Sequence, residues 1–291
     1  MSWRRTWSAW MTHRARRGSP SARTTGRRLV VGDIHGCART LTALLDGEMK
    51  VGHGDQIFFL GDLISKGPDS LGVLEYVTGL PARGVGTVII RGNHEAAILG
   101  SLHGKRSRLR QLLEQTRNEA LLDPQRSDQL DPRWRELLER SVYVVRLPDA
   151  ILVHGGIDMS RAEPFADGEL MVHLRSTIYD ARVAENRPVI HGHTRAPLST
   201  IIESLVNAAD VVPLDNGAVG ASSRKPFKVT EYGNLCCLNL DTWTLHVQPN
   251  LDVVAAAGAG ADEANRPAFS LTIRPSPRTA GLPAVPVSES T

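Results

Sequence analysis

The amino-acid sequence predicts an α/β fold, in which a largely parallel sheet is covered by helices. Three segments repeat the order apolar strand, polar turn, helix, and they begin with "RLVVGD", "QIFFLGD" and "TVIIRGNHE". Such units place their strands side by side and their helices on the faces of the sheet. Two later apolar runs, in "AILVHGG" and "RPVIHGHT", end in histidines and predict two further strands.

The helices are expected directly after the first three strands. Their patterns lie in "CARTLTALLDGEM", "SLGVLEYVTGL" and "EAAILGSLH". A charged segment at about 104–142 also has helical spacing, with breaks at Pro124 and Pro132. It predicts a helical insert between the third and fourth strands, near the rim of the sheet edge at which ligands bind in such folds. Its arginines either steer anionic substrates or form a solvated helix face.

The two ends of the chain differ in composition from the segment between them. Residues 1–28 hold eight arginines and no acid, which leaves 26 basic against 31 acidic residues elsewhere, a net charge of −5. We expect residues 1–28 to be a disordered basic leader, whose composition overlaps with that of organelle transit peptides. Small residues and proline dominate residues 251–291, which predicts a disordered tail. The folded domain is therefore expected at 29–250.

Composition narrows the class of protein. A chain of 291 residues that is 41% hydrophobic can bury one large core. No segment approaches the roughly 18 consecutive apolar residues of a membrane-spanning helix. Three cysteines, two of them adjacent, do not make a disulfide framework. We therefore expect a soluble, cytoplasmic protein with no membrane partner, and no specific nucleic-acid binding because the basic leader lacks a strand-borne aromatic platform.

Polar side chains suited to metal binding follow each of the five strands. The carboxyl ends of parallel strands meet at one edge of a sheet, where ligands bind in such folds, so these side chains are expected to be neighbours. Oxygen and imidazole donors without cysteine suit two divalent ions such as Mn, Fe, Zn or Mg rather than a structural zinc. The residues are Asp33, His35, Asp62, Asn93, His94, His154, His191 and His193.

Five motifs occur in a fixed order: "GDIHG" (32–36), "GDLISKGPDS" (61–70), "RGNHE" (91–95), "VHGG" (153–156) and "HGHT" (191–194). Together they resemble the phosphoprotein phosphatase family of calcineurin-like metallophosphatases, which includes bacterial Ser/Thr phosphatases and diadenosine tetraphosphatase. The resemblance extends over residues 29–250. It implies a four-layer α/β/β/α sandwich built on two mixed sheets.

The resemblance also implies two divalent metal ions, with manganese the first expectation. Asp62 would bridge the ions, the two ligands before it would bind the first ion, and the three after it would bind the second. Two ions lower the pKa of a shared water, so that a bridging hydroxide can attack phosphorus near neutral pH. The implied ligands are, in chain order, Asp33, His35, Asp62, Asn93, His154 and His193.

Three further residues have implied roles around the reacting phosphate. His94 would act as the general acid that protonates the leaving oxygen. Lys66 and Arg175 would bind phosphate oxygens. Ser65 and Lys66 stand where protein phosphatases usually have Asp-Arg, so the carboxylate that would orient His94 is missing, and Asp215 and Asn216 either contact the substrate or close a turn.

These departures divide the expected substrate between two classes. "GNHE" and the closing strands near "YGNLCCLNLDTWTLHVQPN" favour a Ser/Thr phosphoprotein phosphatase, which is the main expectation. The "KGP" after Ser65 favours the alternative, a phosphoanhydride hydrolase acting on dinucleoside polyphosphates, capped RNA or inorganic polyphosphate. A third hypothesis, a non-catalytic binding module, is disfavoured because every implied ligand position holds a suitable residue.

Overall fold

Two β-sheets lie face to face at the centre of the fold. The computed structural model describes residues 26–103, 106–219, 231–252 and 267–273. Within them the strands are β1 (Arg28–Val31), β2 (Gln56–Phe59), β3 (Gly86–Ile89), β4 (Leu122–Asp123), β5 (Arg126–Leu130), β6 (Val144–Arg146), β7 (Ile151–Val153), β8 (Val189–His191), β9 (Val211–Pro213), β10 (Asn234–Asn239), β11 (Thr244–Pro249) and β12 (Phe269–Thr272).

The larger sheet has the strand order β12-β11-β10-β1-β2-β3 and the smaller one β6-β7-β8-β9. In the larger sheet β1, β2 and β3 run parallel, whereas β10, β11 and β12 are antiparallel to their neighbours. In the smaller sheet β7, β8 and β9 are parallel and β6 is antiparallel to β7. Both sheets are therefore mixed.

Eight α-helices in the described residues cover the sheets or extend the insert. After α1 the chain continues as a π-helical turn over Ala43–Glu48. The α-helices are α1 (Ala38–Thr42), α2 (Ser70–Gly79), α3 (Asn93–Ser101), α4 (Arg106–Gln115), α5 (Pro132–Glu139), α6 (Gly168–His173), α7 (Ala181–Ala184) and α8 (Leu198–Val206). None of the helices that the structure describes has the length and apolar character needed to cross a membrane.

Alternation along the strands builds the layers, because successive side chains of a strand point to opposite faces. Phe58 of β2 and Leu152 of β7 belong to one apolar cluster between the sheets. Ile57 of β2 instead belongs to the cluster that includes Leu41 of α1 and Leu74 of α2. A third cluster joins β7 and β8 to α6 and α7. Helix, sheet, sheet and helix thus form four layers, and the predicted fold class is confirmed.

The region around 104–142 differs in part from the predicted helical insert. It contains α4 and α5, and Pro132 is the first residue of α5. Between these helices, however, β4 and β5 form an antiparallel hairpin. Pro124 lies in the turn of that hairpin, where a residue without a backbone N–H does not interrupt the ladder. The hairpin was not predicted.

The predicted boundaries of the leader and tail also need a correction. Arg28, assigned to the leader, is the first residue of β1, and residues 1–25 lie outside the described residues. Within the predicted tail, Phe269–Thr272 form β12, which pairs antiparallel with β11. The prediction of disorder is wrong for these four residues, because backbone pairing with β11 orders them although their side chains stay exposed. Residues 253–266 and those from 274 onward lie outside the described residues.

Candidate metal centre

Five loops at the carboxyl ends of strands carry the candidate ligands. Asp33 and His35 follow β1, and Asp62 follows β2. Asn93 and His94 begin α3, just after β3. The remaining two, His154 and His193, follow β7 and β8, so the ligands come from the corresponding edges of both sheets.

Several of these residues have an uncommon backbone conformation. The φ angles of His35, Asp62 and His193 are 50°, 48° and 62°. Non-glycine residues rarely adopt the left-handed region, and where they do the surrounding structure must hold them there. Glycine is needed beside them, since a Cβ on Gly92 would lie 2.2 Å from Asp62 Oδ1 and one on Gly192 would lie 2.1 Å from Asp33 Oδ1.

Two groups of donor atoms share Asp62. The first comprises His35, Asp62 and His94, the second Asp62, His154 and His193, and within each group the donor atoms lie within 4.8 Å of one another. Asp62 Oδ2 lies 3.4 Å from His35 Nε2 and 3.9 Å from His94 Nε2. Asp62 Oδ1 lies 3.5 Å from His154 Nε2. The two oxygens of one carboxylate therefore face different sets of histidines.

Backbone carbonyls fix the orientation of two of the imidazoles. His35 Nδ1 donates to the carbonyl of Ile64 at 3.2 Å, and His154 Nδ1 donates to that of Leu60 at 2.8 Å. Because a carbonyl only accepts, the proton of the neutral ring is on Nδ1 and Nε2 keeps its lone pair. Such an outer hydrogen bond is typical of metal-binding histidines. Asn93 Oδ1 lies 3.2 Å from His154 Nε2 and adds a neutral oxygen donor.

Asp33 lies outside both donor groups. Its two oxygens accept the backbone N–H of His193 at 3.2 and 3.0 Å. Burial, followed by the charges of Asp215 and Asp62, holds the pKa of Asp33 well above its usual range. The carboxylate is thus beside the centre and in the electrostatic field of Asp62, and its predicted role as a ligand of the first ion stays a prediction.

The electrostatics of the centre favour a cationic occupant. Burial raises the pKa of Asp62 to about 7, with the Lys66 charge and the His94 backbone N–H opposing the rise. Burial likewise lowers the pKa of His94 and of His154 to about 3. Carboxylates that are costly to charge and imidazoles that are neutral form a donor set whose missing positive charge a divalent ion would supply. The residues present therefore fit divalent metal ions.

The two predicted phosphate-binding residues lie at the rim of this centre. Lys66 is exposed, has a φ of 67°, and donates from Nζ to His35 Nε2 at 2.8 Å. The carbonyl of Arg175 accepts a hydrogen bond from Thr194 Oγ1 at 3.3 Å. Burial lowers the pKa of His193 to about 4, and the charges of His154 and then Arg175 contribute to the shift. Both cationic side chains thus act on histidines of the centre.

Residues 26–214, more than half of the chain, match the family model of the calcineurin-like phosphoesterases. The chain belongs to this family. The predicted family is therefore confirmed, and so, at the level of the family, is the expectation of a metal-dependent phosphoester hydrolase. The finding does not identify the metal.

Curated relatives of this phosphoesterase carry the name bis(5'-nucleosyl)-tetraphosphatase, symmetrical. The protein of Photorhabdus laumondii is 43% identical over 75 residues, which are 26% of each chain. That of Neisseria meningitidis is 29% identical over 163 residues, 51% of each chain. The chain thus spans between a quarter and a half of the length of these relatives. A crystal structure of a candidate diadenosine tetraphosphatase has a TM-score of 0.56 at 20% identity, covering 78% of this chain and 94% of that one, and shows the fold alone.

Sequence reasoning missed Glu95 as a residue that organises the phosphoesterase centre. Its fully buried carboxylate accepts the backbone N–H groups of Asp62, Leu63 and Gly92, each at 2.9 Å. Burial, together with the charge of Asp62, raises the pKa of Glu95 to about 7. The side chain therefore ties the loop after β2 to the start of α3. Its position three residues after the N-cap is the capping-box spacing, and that signal was available in the sequence.

Asn118 of the insert is a second residue that sequence reasoning missed. It is fully buried; its Oδ1 accepts the N–H of Ser65 at 3.2 Å and its Nδ2 donates to Ser65 Oγ at 2.8 Å. Ser65 is only 1% exposed and has a φ of 73°. The position of the missing carboxylate is therefore occupied by a serine held by the insert. A contact across 53 residues leaves no local signal in the sequence.

Two residues of uncertain role in the sequence now have structural contacts. Asn216 is buried; its Nδ2 donates to the carbonyls of Ala196 and Glu231, while its Oδ1 accepts from Asn234. It therefore closes a turn. Asp215 is 2% exposed and accepts the N–H of Gly217 at 2.7 Å, but its charge also acts on Asp33. His191 is the last residue of β8 but is not among the ligands that the resemblance implies, and it is in neither donor group.

Proposed function

We propose that this phosphoesterase cleaves phosphoanhydride bonds of dinucleoside polyphosphates in a reaction that depends on two divalent metal ions. The observation that carries the proposal is the position of Asp62, whose two oxygens face the histidines of two donor groups. A shared carboxylate between two sets of neutral nitrogen donors is the arrangement that a pair of adjacent ions requires.

The proposed ligands divide between the two ions as the resemblance implied. Asp33 and His35 would hold the first ion, Asn93, His154 and His193 the second, and Asp62 both. When bound, such ions supply Lewis-acid stabilisation of the phosphoryl oxygens and lower the pKa of water. The hydrogen bonds from Nδ1 of His35 and His154 to backbone carbonyls would keep their Nε2 atoms directed at the ions.

The chain's own polar residues would handle the leaving group and the phosphate charge. His94 begins α3 and lies beside Asp62, where a protonated Nε2 would donate its proton to the departing oxygen. Lys66 and Arg175 would bind phosphate oxygens at the rim. Lysine acts there as a point charge, since it lacks the two parallel N–H donors of arginine.

The substrate class is inferred from the relatives and from one departure in the sequence. Proteins of 43% and 29% identity bear a name that states symmetrical cleavage of bis(5'-nucleosyl) tetraphosphates. Ser65 and Lys66 replace the Asp-Arg usual in protein phosphatases. The Ser65 hydroxyl accepts a hydrogen bond from Asn118 Nδ2. Both observations favour an anhydride substrate, whose phosphate leaving group needs less help from an oriented general acid than an alkoxide does.

A phosphoserine or phosphothreonine protein is the second candidate substrate. The observations that favour it are the "GNHE" motif, in which Glu95 binds the loop of Asp62, and the closing hairpin of β10 and β11. For either substrate, we also propose that the physiological metal is manganese and that the protein is cytoplasmic.

The test compares three substrates at equal concentration with the full chain and added manganese. We expect kcat/KM for diadenosine tetraphosphate, measured as release of ADP, to exceed that for a phosphothreonine peptide or polyphosphate at least about tenfold. A preference for the peptide would establish the second candidate instead. If two ions bind per chain and none of the three substrates is cleaved, the proposed activity is wrong. The Asp62→Asn chain, purified in parallel, controls for contaminating phosphatases.

A further inference from the structure

A cleft of about 450 Å³ separates α3 from α4, outside the donor groups of the metal centre. Its volume lies in the range of small-ligand sites. Small residues of α3 form one wall, and three polar side chains and one leucine of α4 form the other. The residues that define it are Ala97, Gly100 and Ser101 on α3 and Arg108, Gln111, Leu112 and Gln115 on α4.

The cleft lies along the same helix, α3, that begins at the metal centre. Asn93, a proposed metal ligand, is the first residue of this helix, and Ala97 and Gly100 lie four and seven residues further on. These spacings put the three residues on one face of a helix. With a rise of 1.5 Å per residue, Ala97 lies about 6 Å and Ser101 about 12 Å beyond Asn93 along the axis. A substrate group bound there would be roughly one phosphate and one ribose away from a reacting phosphorus.

The far wall of the cleft is fixed to the loop that carries Lys66. Asn118 follows α4 by three residues and binds both the N–H and the hydroxyl of Ser65. The backbone N–H of Asn118 donates to the carbonyl of Leu113 at 2.7 Å. Asn118 therefore connects the end of α4 to the loop that carries Lys66. The distance between the cleft and the centre is therefore set by packed structure.

The side chains of α4 suit a nucleoside phosphate. The Arg108 guanidinium makes no hydrogen bond or ion pair with any residue that the structure describes, whereas Arg110, two positions on, is held by Glu114 at 2.8 Å. A guanidinium can bind a phosphate with two N–H groups or stack on a base. The amides of Gln111 and Gln115 offer the donor and acceptor pair that recognises an adenine edge.

We propose that this cleft binds the nucleoside end of the dinucleoside polyphosphate, with Arg108 on its adjacent phosphate or base, a role that rests on the function proposed above. The small residues Ala97 and Gly100 leave the α3 wall of the cleft open to a planar base. The cleft would thereby select nucleotides over smaller phosphoesters that do not reach it.

Two variants of the full chain test the cleft. Arg108→Gln removes its charge, and Gly100→Trp fills it, since a Cβ at Gly100 meets nothing within 4 Å. For each, we expect the ratio of KM for diadenosine tetraphosphate to KM for p-nitrophenyl phosphate to rise about tenfold, the effect of losing roughly one good contact. Matched controls are Arg110→Gln on the same helix and Gly79→Trp on α2, where a Cβ also meets open space; neither should change the ratio.

Calorimetric binding of ADP to the chain without added metal separates this proposal from the proposed function. We expect Arg108→Gln to weaken ADP binding about tenfold and Arg110→Gln to leave it unchanged. If ADP binding depends on Arg108 while diadenosine tetraphosphate is not cleaved, the proposal that the cleft binds a nucleotide is supported and the proposed function is wrong. If the tetraphosphate is cleaved but Arg108→Gln changes neither ADP binding nor the KM ratio, or if ADP does not bind the wild-type chain, the cleft proposal is wrong.

Discussion

The strands of the larger sheet and the loops that follow them are neighbours in the chain but have opposite physical character. Val30 of β1 and Phe58 of β2 are paired in parallel register and are almost fully buried in apolar surroundings. Asp33 and Asp62, three and four residues further on, are 2% and 1% exposed, yet they are ionisable carboxyl groups. The strands contribute the apolar burial that stabilises the fold, and the loops carry the polar groups suited to chemistry.

The difference shows how the strained backbone at the centre is maintained. Asp62 has a positive φ and accepts the His94 N–H at 3.1 Å, while Glu95 accepts the N–H groups of Asp62 and, in the loop after β3, of Gly92. These contacts over-determine a conformation that is unfavourable for an isolated loop. The strands give the loops fixed ends, so substitutions in the two regions should have opposite effects on stability and activity.

Asp62→Asn is expected to have the largest effect on activity. Loss of the shared carboxylate should lower kcat/KM at least about a thousandfold, because the stabilisation of transition-state charge is lost. The metal-free variant should nevertheless be more stable by about 1–3 kcal/mol, since a neutral amide replaces a buried charge. Turnover assays, metal analysis and urea unfolding of the metal-free chain measure these effects.

A matched control for this variant is Asp180→Asn. Asp180 is the N-cap of α7, where asparagine caps equally well, so neither activity nor stability should change. Destabilisation of the metal-free chain by Asp62→Asn would break the contrast between strands and loops, because the carboxylate would then contribute to the fold.

His94→Ala should lower kcat for diadenosine tetraphosphate by about 10²-fold, the low end of the usual contribution of a general acid because the leaving group is a phosphate, while two ions still bind per chain. The exposed His53, changed to alanine, is the control and should leave kcat unaltered. His94 belongs to the first donor group by distance, so the metal content of the variant is decisive. A loss of one ion per chain would make His94 a ligand and would contradict the general-acid role.

Phe58→Ala tests the strand side of the comparison. Phe58 is 1% exposed between the two sheets, and its truncation should lower the free energy of unfolding by about 3–5 kcal/mol. Phe269→Ala in β12 removes the same side chain from a position that is 43% exposed, and should change stability by less than about 1 kcal/mol. Equal costs in urea unfolding would mean that β12 is as integral to the sheet as β2.

The sequence indicated which polar residues follow the strands, but not the residues that support them. Apolar runs, followed by helical patterns in the first three units, were enough to place Asp33, Asp62 and His154 after strands, and the parallel arrangement predicted that they are neighbours. The positive φ of Asp62 has no sequence signal, because no glycine marks it. Four layers followed only from the family resemblance. β12 was missed because its four side chains are exposed, so neither composition nor alternation distinguishes it from a tail.

The contact between Asn118 and Ser65 could not be predicted, because it joins residues 53 positions apart through side chains of common types. Asn118 donates to Thr116 Oγ1 at 2.8 Å as well, so it could stabilise only the end of α4. A test must therefore separate folding from positioning.

Asn118→Ala should lower the free energy of unfolding by about 1–3 kcal/mol, because the hydroxyl of the buried Ser65 loses the Asn118 donor and its N–H keeps only the bond to Ser70 Oγ. If Asn118 also positions Lys66 through the left-handed Ser65, KM for diadenosine tetraphosphate should rise more than kcat falls, since the lost contact is with a phosphate already bound in the ground state. Asn207→Ala, at an exposed position after α8, is the matched control and should change neither quantity. A variant that loses stability but keeps the wild-type KM would limit Asn118 to a structural role. The insert would then not position the loop that carries Lys66.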